Sequence, residues 1–107
     1  MQNKLVAIYC VLDEFKSDIN FDKSDDKAVI VIYDTNKNTQ LKKVFPVLYG
    51  NDTKKNERSL RLYSEEFREI PIIYMRVSKR EYDNYMVLLH FNEDVYNEMV
   101  EKIKLIK

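Results

Sequence analysis

His90 is the residue of this chain best suited to acid–base chemistry, and it is the only histidine. An imidazole titrates near neutral pH, so His90 could act as a general base or contact a phosphate group. Its neighbours Leu89 and Phe91 are apolar, which equally fits a histidine at the core or rim of a strand. A zinc site needs two or three further ligands, and the sequence around His90 offers none at ligand spacing. We therefore favour a structural role for His90.

The other reactive side chains also lack the spacing that a catalytic or metal site needs. Cys10 is the single cysteine, which excludes an intramolecular disulfide and a metal site built from cysteines alone. Asp22, Asp25 and Asp26 share one acidic stretch, but the stretch lacks the glycine and the distant glutamate of a calcium loop. The chain has one glycine, so a glycine-rich phosphate loop is not indicated. We expect no cofactor, no metal and no enzymatic turnover.

A basic block covers residues 37–61, where seven Lys and Arg side chains stand against two acidic ones. Aromatic residues are interleaved with these cations, which is typical of surfaces that contact phosphates and stack on bases. The alternative is a solvated surface that balances the acidic ends of the chain, and the zero net charge favours this second interpretation. The candidate phosphate contacts are Lys42, Lys43, Lys54 and Lys55.

Tyrosine and arginine form the second unusual feature, with eight tyrosines and no tryptophan in the chain. Both residue types are enriched where proteins bind each other, because a ring and a planar guanidinium can be desolvated together. Tyrosine also replaces phenylalanine on half-buried sheet surfaces, so the pattern has a structural alternative. The predicted binding surface comprises Arg58, Arg61, Tyr63, Tyr74, Arg76, Arg80 and Tyr82.

Length and composition indicate one globular domain covering residues 1–107. The chain is 45% hydrophobic and 34% charged, which is enough apolar content for a core without metal or disulfide support. No apolar run reaches the roughly 18–20 residues that span a bilayer, and no signal peptide is evident. We expect a cytoplasmic protein with no membrane partner.

Helical patterns occur at the two ends of the chain. The apolar run 5–12 fits a strand buried on both faces, but its stripe continues at Phe15 and Ile19, so we favour a helix. The C-terminal helix is the clearest element, because Asn92 is a suitable N-cap and acidic residues follow it in the first turn. Its apolar stripe is Val95, Tyr96, Met99, Val100, Ile103 and Ile106.

The strand patterns lie between these ends and predict an antiparallel sheet of about five strands, hence an α+β fold. The segments 28–33 and 41–45 are rich in apolar and branched residues, and 59–63 alternates. The range 70–91 predicts a hairpin, although Ser78 and Glu81 could instead cap a helix. Alternation sends one set of side chains toward the core: Leu60, Leu62, Ile73, Met75 and Val77. It sends a second set outward on one shared face: Arg61, Tyr63, Tyr74 and Arg76.

These observations support three hypotheses about function. The first is a non-enzymatic protein-binding protein of the inhibitor, immunity or adaptor type that acts through the Tyr/Arg-rich face. The second is an RNA- or DNA-binding module that uses the basic block. The third is a small metal-independent ribonuclease of the toxin kind that uses Arg, Tyr and His90. The neutral charge and the missing catalytic spacing favour the first.

Overall fold

The computed structural model describes residues 4–13, 27–36 and 38–106, which form four strands and three α-helices. The strands are β1 (Leu5–Leu12), β2 (Ala28–Asp34), β3 (Gln40–Pro46) and β4 (Ile72–Val77). The helices are α1 (Thr53–Tyr63), α2 (Lys79–Leu89) and α3 (Glu93–Lys104), and one 3-10 turn (Glu65–Phe67) lies between α1 and β4. The predicted α+β class is confirmed.

The strands form one mixed sheet in the order β3-β2-β1-β4. β2 is antiparallel to both of its neighbours, whereas β4 is parallel to β1, with Tyr74 opposite Tyr9. The parallel pairing arises because α1 returns the chain to the opposite end of the sheet before β4 begins. The prediction of about five antiparallel strands is therefore wrong in the direction of β4 and, for the described residues, in the number of strands.

The segment 5–12, for which we favoured a helix, is strand β1 in the interior of the sheet. Its side chains are buried in both directions, with Tyr9 on one side of the sheet and Cys10 on the other. A strand covered on both faces is apolar at every position, so its sequence shows no alternation that separates it from a helix. The supposed continuation of the stripe at Phe15 and Ile19 lies outside the described residues.

Residues 59–63, predicted to be a strand, belong to helix α1. Asp52 caps this helix, because its side-chain oxygen accepts a hydrogen bond from the N–H of Lys55 at 3.0 Å. Leu60 is fully buried, but Leu62 is 53% exposed, since positions two apart point in different directions on a helix. Five alternating residues are too few to distinguish the two-residue period of a strand from the 3.6-residue period of a helix.

The predicted hairpin 70–91 is correct in its first strand and wrong in its second, which is helix α2. The N–H of Glu81 donates to Ser78 Oγ at 3.2 Å, and the Ser78 hydroxyl donates to Glu81 Oε1 at 3.3 Å. This is the helix cap that the sequence offered as the alternative. Val87 and Leu88 are exposed. The α2 side chains that pack toward the sheet follow helical spacing: Tyr82, Tyr85, Met86 and Leu89.

Hydrophobic clusters lie on both sides of the sheet, which we call the α1 side and the α2 side after the helices that cover them. The largest members of the α1-side cluster are Tyr9, Ile30, Ile32, Phe45, Leu60, Phe67 and Ile103. The buried α2-side cluster consists of Cys10, Val29, Val31, Val44, Val77 and Leu89.

Helix α3 connects the two sides at the β3 end of the sheet. Tyr96 packs against the α2-side cluster, whereas Met99 and Ile103 belong to the α1-side cluster. The helix begins as predicted, because Asn92 Oδ1 accepts the N–H of Val95 at 3.2 Å. The predicted C-terminal helix is therefore confirmed. In the described part of the chain, no helix is both long and apolar enough to cross a membrane.

Candidate protein interface

The seven predicted binding residues lie on three different elements. Helix α1 carries Arg58, Arg61 and Tyr63, strand β4 carries Tyr74 and Arg76, and helix α2 carries Arg80 and Tyr82. The predicted shared face required residues 59–63 to be a strand beside β4, and they form a helix instead. Arg61, Tyr63, Tyr74 and Arg76 therefore do not follow one another across a sheet surface.

Of the three α1 residues, Arg58 is exposed, whereas Arg61 and Tyr63 make contacts beyond the helix. The Nη1 atom of Arg61 donates to the carbonyl oxygens of Arg68 and Ile70, each at 3.0 Å. The Tyr63 ring lies edge-on to Phe45, with centroids 5.2 Å apart, and burial raises the pKa of its phenol. These contacts give both residues a structural role.

Strand β4 keeps two of the seven residues together. Tyr74 stacks on Tyr9 on the α1 side of the sheet, with ring centroids 5.2 Å apart. Arg76 points to the same side by alternation and is exposed. Tyr82 packs on the α2 side, so it cannot extend the surface of Tyr74.

The candidate phosphate contacts are divided between β3 and α1, and three of the four make contacts within the protein. Lys42 pairs with Glu66 at 3.3 Å. The Lys43 and Lys55 ammonium groups lie over the rings of Tyr63 and Tyr49, 5.5 and 4.5 Å from the centroids. Lys54 is exposed on α1. These contacts favour the interpretation of the basic block as a solvated surface.

The candidate reactive groups are placed as structural residues. The Cys10 thiol donates to the carbonyl oxygen of Ile8 at 3.6 Å, and burial raises its pKa to about 12, so it stays protonated at neutral pH. His90 is the exposed C-cap of α2, and its ring centroid lies 4.3 Å from that of Tyr96. Across residues 4–13, 27–36 and 38–106, no three His, Cys, Asp or Glu side chains are grouped as metal ligands would be.

The surface feature that the sequence did not predict is a row of exposed apolar side chains on the α2 side of β4. Ile73 and Met75 were expected to face the core, yet they are 50% and 46% exposed, while Val77 is buried. Ile8 lies opposite Ile73 in the ladder and Val6 precedes it on the same side, and both are half-buried. We call these four residues the β4 trough. The alternation of side chains correctly placed Ile73 and Met75 on the same side of β4. It carries no information about how far α2 extends over that side of the sheet.

A second apolar surface lies at the other edge of the sheet. A groove of about 260 Å³ runs between β3, the end of α2 and the start of α3. Phe91 at its rim is 85% exposed. We call this surface the β3 groove, and its apolar lining is Leu41, Val44, Leu88, Leu89, Phe91, Val95 and Met99.

A depression of about 860 Å³ lies at the end of the sheet where β1 and β4 begin. Its lining mixes Lys4 and Arg68 with three glutamates and is open to solvent. Although Leu5, Val6, Ile70 and Pro71 also line it, its charged side chains outnumber its apolar ones, whereas small-molecule sites have predominantly apolar walls with a few convergent polar groups.

No protein-family model, curated protein or solved structure matches this chain. Its function is therefore inferred from its own residues and surfaces.

Proposed function

We propose that this protein is a non-enzymatic protein-binding protein that docks an amphipathic helix of its partner in the β4 trough. The observation that carries the proposal is the exposure of Ile73 and Met75 at the centre of a strand. Large apolar side chains that are exposed together and next to half-buried ones mark interaction surfaces. Ile8, directly across the ladder from Ile73, makes the apolar surface continuous over two strands.

The dimensions of the sheet support a helix as the occupant. Four strands about 4.8 Å apart make a face roughly 15–19 Å wide, and one helix with its side chains covers about 10–12 Å. On the α1 side, both α1 and α3 contribute buried residues to the cluster. On the α2 side, α2 contacts β1, β2 and β3 and packs with Val77 at the end of β4, whereas Ile73 and Met75 of β4 stay exposed beside it.

The neighbouring helix also makes a flat partner a poor fit. Helix α2 rises about 10 Å above the sheet, so it forms one wall of the β4 trough, and the trough is open at the β4 edge of the sheet. A second sheet laid face to face would meet α2 before it reached Ile73. A helix with apolar residues at positions i, i+3 or i+4, and i+7 can enter the trough and cover the exposed side chains.

Tyr74 and Arg76 point to the α1 side of β4, opposite to Ile73 and Met75, so they lie outside the β4 trough. We do not carry the nucleic-acid and ribonuclease hypotheses further, because the contacts of Lys42, Lys43 and Lys55 support neither.

Site-specific photo-crosslinking in cells of the native host tests this function. A photoreactive phenylalanine analogue at position 73 should crosslink one protein through a helical segment identified by mass spectrometry. The same analogue at position 62, where Leu62 is equally exposed on α1, is the matched control and should not crosslink that segment. Crosslinking from position 62 alone, to nucleic acid, or to no protein segment contradicts the proposal.

A further inference from the structure

Three polar side chains lie where helix α2 meets the apolar surface of the β4 trough. Glu81 and Tyr85 belong to α2, one helical turn apart, and Tyr33 belongs to β2. The hydroxyl groups of Tyr33 and Tyr85 lie 3.0 Å apart and share a hydrogen bond. Both tyrosines are half-buried, whereas Glu81 is exposed. We call these three residues the polar wall.

The register of the strands places the polar wall along the trough. Tyr33 is the ladder partner of Val6, and Cys10 is the ladder partner of Met75. Opposite residues of neighbouring strands lie side by side on one face, so Tyr33 lies at the Val6 end. Burial raises the pKa of the Cys10 thiol, and the Glu81 carboxylate raises it further, which places Glu81 near the Met75 end. The polar wall therefore follows the trough from one end to the other.

The charge of Glu81 has no counter-charge within the described part of the chain. The Ser78 hydroxyl donates to Glu81 Oε1 at 3.3 Å, but in the ranges that the structure describes no Lys or Arg forms an ion pair with this carboxylate. The nearby Lys79 ammonium lies 2.8 Å from Asp83 instead. An exposed, uncompensated negative charge therefore stands beside an apolar surface.

The two hydroxyl groups add hydrogen-bond acceptors to this charge. Each phenol has one O–H and two lone pairs, and the bond between Tyr33 and Tyr85 uses one O–H and one lone pair. More acceptor than donor sites remain. Burial, the hydrogen bond with Tyr33 and nearby charges that include Glu81 raise the pKa of Tyr85, so its oxygen lies in a negative potential. A cationic donor therefore fits the polar wall better than a neutral or an acidic group.

We propose that the partner helix presents a Lys or Arg side chain to the polar wall, with its cation between the Glu81 carboxylate and the Tyr85 hydroxyl. This inference rests on the proposed function and adds the charge of the partner to it. An ammonium or guanidinium group at this point donates to both oxygens. Its aliphatic stem lies against the apolar side chains of the trough.

A partner helix without this cation would dock less well. It would remove water from Glu81 without replacing it by a counter-charge, which leaves an unpaired charge at the interface. An acidic residue there would add repulsion. Lys4 lies two residues from Val6 at the other end of the trough, and its like charge keeps the basic residue at the Glu81 end. The cation therefore also fixes the register of the helix, which apolar contacts alone leave free to slide.

The partner segment that crosslinks from position 73 provides the probe, as a synthetic peptide. Its sequence should carry Lys or Arg on one flank of the apolar stripe. Glu81→Gln removes the charge but keeps an oxygen for the Ser78 cap, and it should weaken peptide binding in fluorescence anisotropy at least about threefold. It should also flatten the loss of affinity with rising salt concentration. Glu98→Gln on the exposed surface of α3 is the matched control and should change neither.

Two further comparisons separate a binding role from a structural one. Tyr85→Phe keeps the ring and removes the hydroxyl, so it should weaken peptide binding. Tyr96→Phe removes a hydroxyl beside His90 at the other end of α2 and should not. Replacing the basic residue of the peptide by methionine should weaken binding to the wild-type chain and leave binding to the Glu81→Gln chain unchanged.

The outcomes distinguish this inference from the function on which it rests. If position 73 crosslinks no protein segment, the docking function and the basic residue are both contradicted. If position 73 crosslinks a helical segment with no basic residue beside its apolar stripe, only the inference is overturned. A peptide that binds the Glu81→Gln chain as tightly as the wild-type chain overturns it as well, and the β4 trough then remains the docking site.

Discussion

Replacing Asn56 with alanine should be among the most destabilising single changes in α1. Asn56 is 1% exposed and bonds three groups at once. Its Oδ1 accepts the N–H of Tyr49 at 3.0 Å, and its Nδ2 donates to the Tyr9 hydroxyl at 3.0 Å and to the Gly50 carbonyl at 3.2 Å. The side chain therefore fastens the turn that precedes α1 to the helix and to the central strand.

The expected magnitude follows from these bonds. Asn56→Ala removes the side-chain partners of the Tyr49 N–H and the Gly50 carbonyl, and each buried polar group left unsatisfied costs about 1–3 kcal/mol. The Tyr9 hydroxyl loses one further bond. We therefore expect the free energy of unfolding to fall by about 2–5 kcal/mol, a large share of the roughly 5–15 kcal/mol of a typical domain.

Urea unfolding followed by circular dichroism measures this change. Asn97→Ala is the control, because Asn97 is exposed on α3 and surface substitutions change stability by no more than about 0.5 kcal/mol. A double-mutant cycle with Tyr9→Phe should show a coupling energy of about 1 kcal/mol between the two side chains. A loss below about 1 kcal/mol for Asn56→Ala would refute the role of this network.

Three further predictions concern the fold. Leu60→Ala should lower the free energy of unfolding by about 2–5 kcal/mol, whereas Leu62→Ala should lower it by less than about 0.5 kcal/mol, because only Leu60 is buried. Equal losses would instead favour a strand at residues 59–63, in which both side chains face the core. Ser78→Ala should cost about 1 kcal/mol in thermal unfolding, whereas Ser64→Ala should be nearly neutral because Ser64 makes no side-chain cap bond; similar effects would argue against the Ser78 cap. Stability should fall as pH rises above about 9, because unfolded Cys10 loses its proton there while burial raises its folded pKa to about 12. Cys10→Val should flatten this decline in urea titrations between pH 8 and 10, and an unchanged slope would exclude Cys10 as its source.

The elements that the sequence predicted correctly are those whose local signals agree with one another. In α3 the Asn92 cap, the acidic first turn and the apolar stripe all specify the same helix. Strand β2 was equally clear, because Val29 to Ile32 are branched, apolar and buried on both sides.

The elements that were predicted wrongly are those in which the pattern of apolar residues fits both the period of a helix and the period of a strand. The run that forms β1 is apolar throughout because β1 is an interior strand. An uninterrupted apolar run fits a buried helix as well as a buried strand, so the sequence does not distinguish them. In α2 the apolar Val87 and Leu88 suggested a strand, while the deciding signal was the cap formed by Ser78 and Glu81. The parallel pairing of β4 depends on the helical path of α1, which the alternation of Leu60 and Leu62 concealed.

The candidate interface could be predicted only in part for the same reason. Alternation correctly separated Tyr74 and Arg76 from Ile73 and Met75 on β4. Which of these sides is buried depends on the distance that α2 and α1 extend over the edge of the sheet. That distance is set by tertiary packing, so no spacing within β4 encodes it.

The most direct test of the central claim is the affinity of the crosslinked partner, measured by calorimetry against variants of the β4 trough. Ile73→Ala and Met75→Ala should each weaken binding by about tenfold, which corresponds to about 1.4 kcal/mol. Their unfolding free energies should change by less than about 1 kcal/mol, since both side chains are half-exposed. Leu62→Ala on α1 should leave the affinity unchanged. If Ile73→Ala and Met75→Ala bind the partner as tightly as the wild-type chain, the β4 trough is not its docking site.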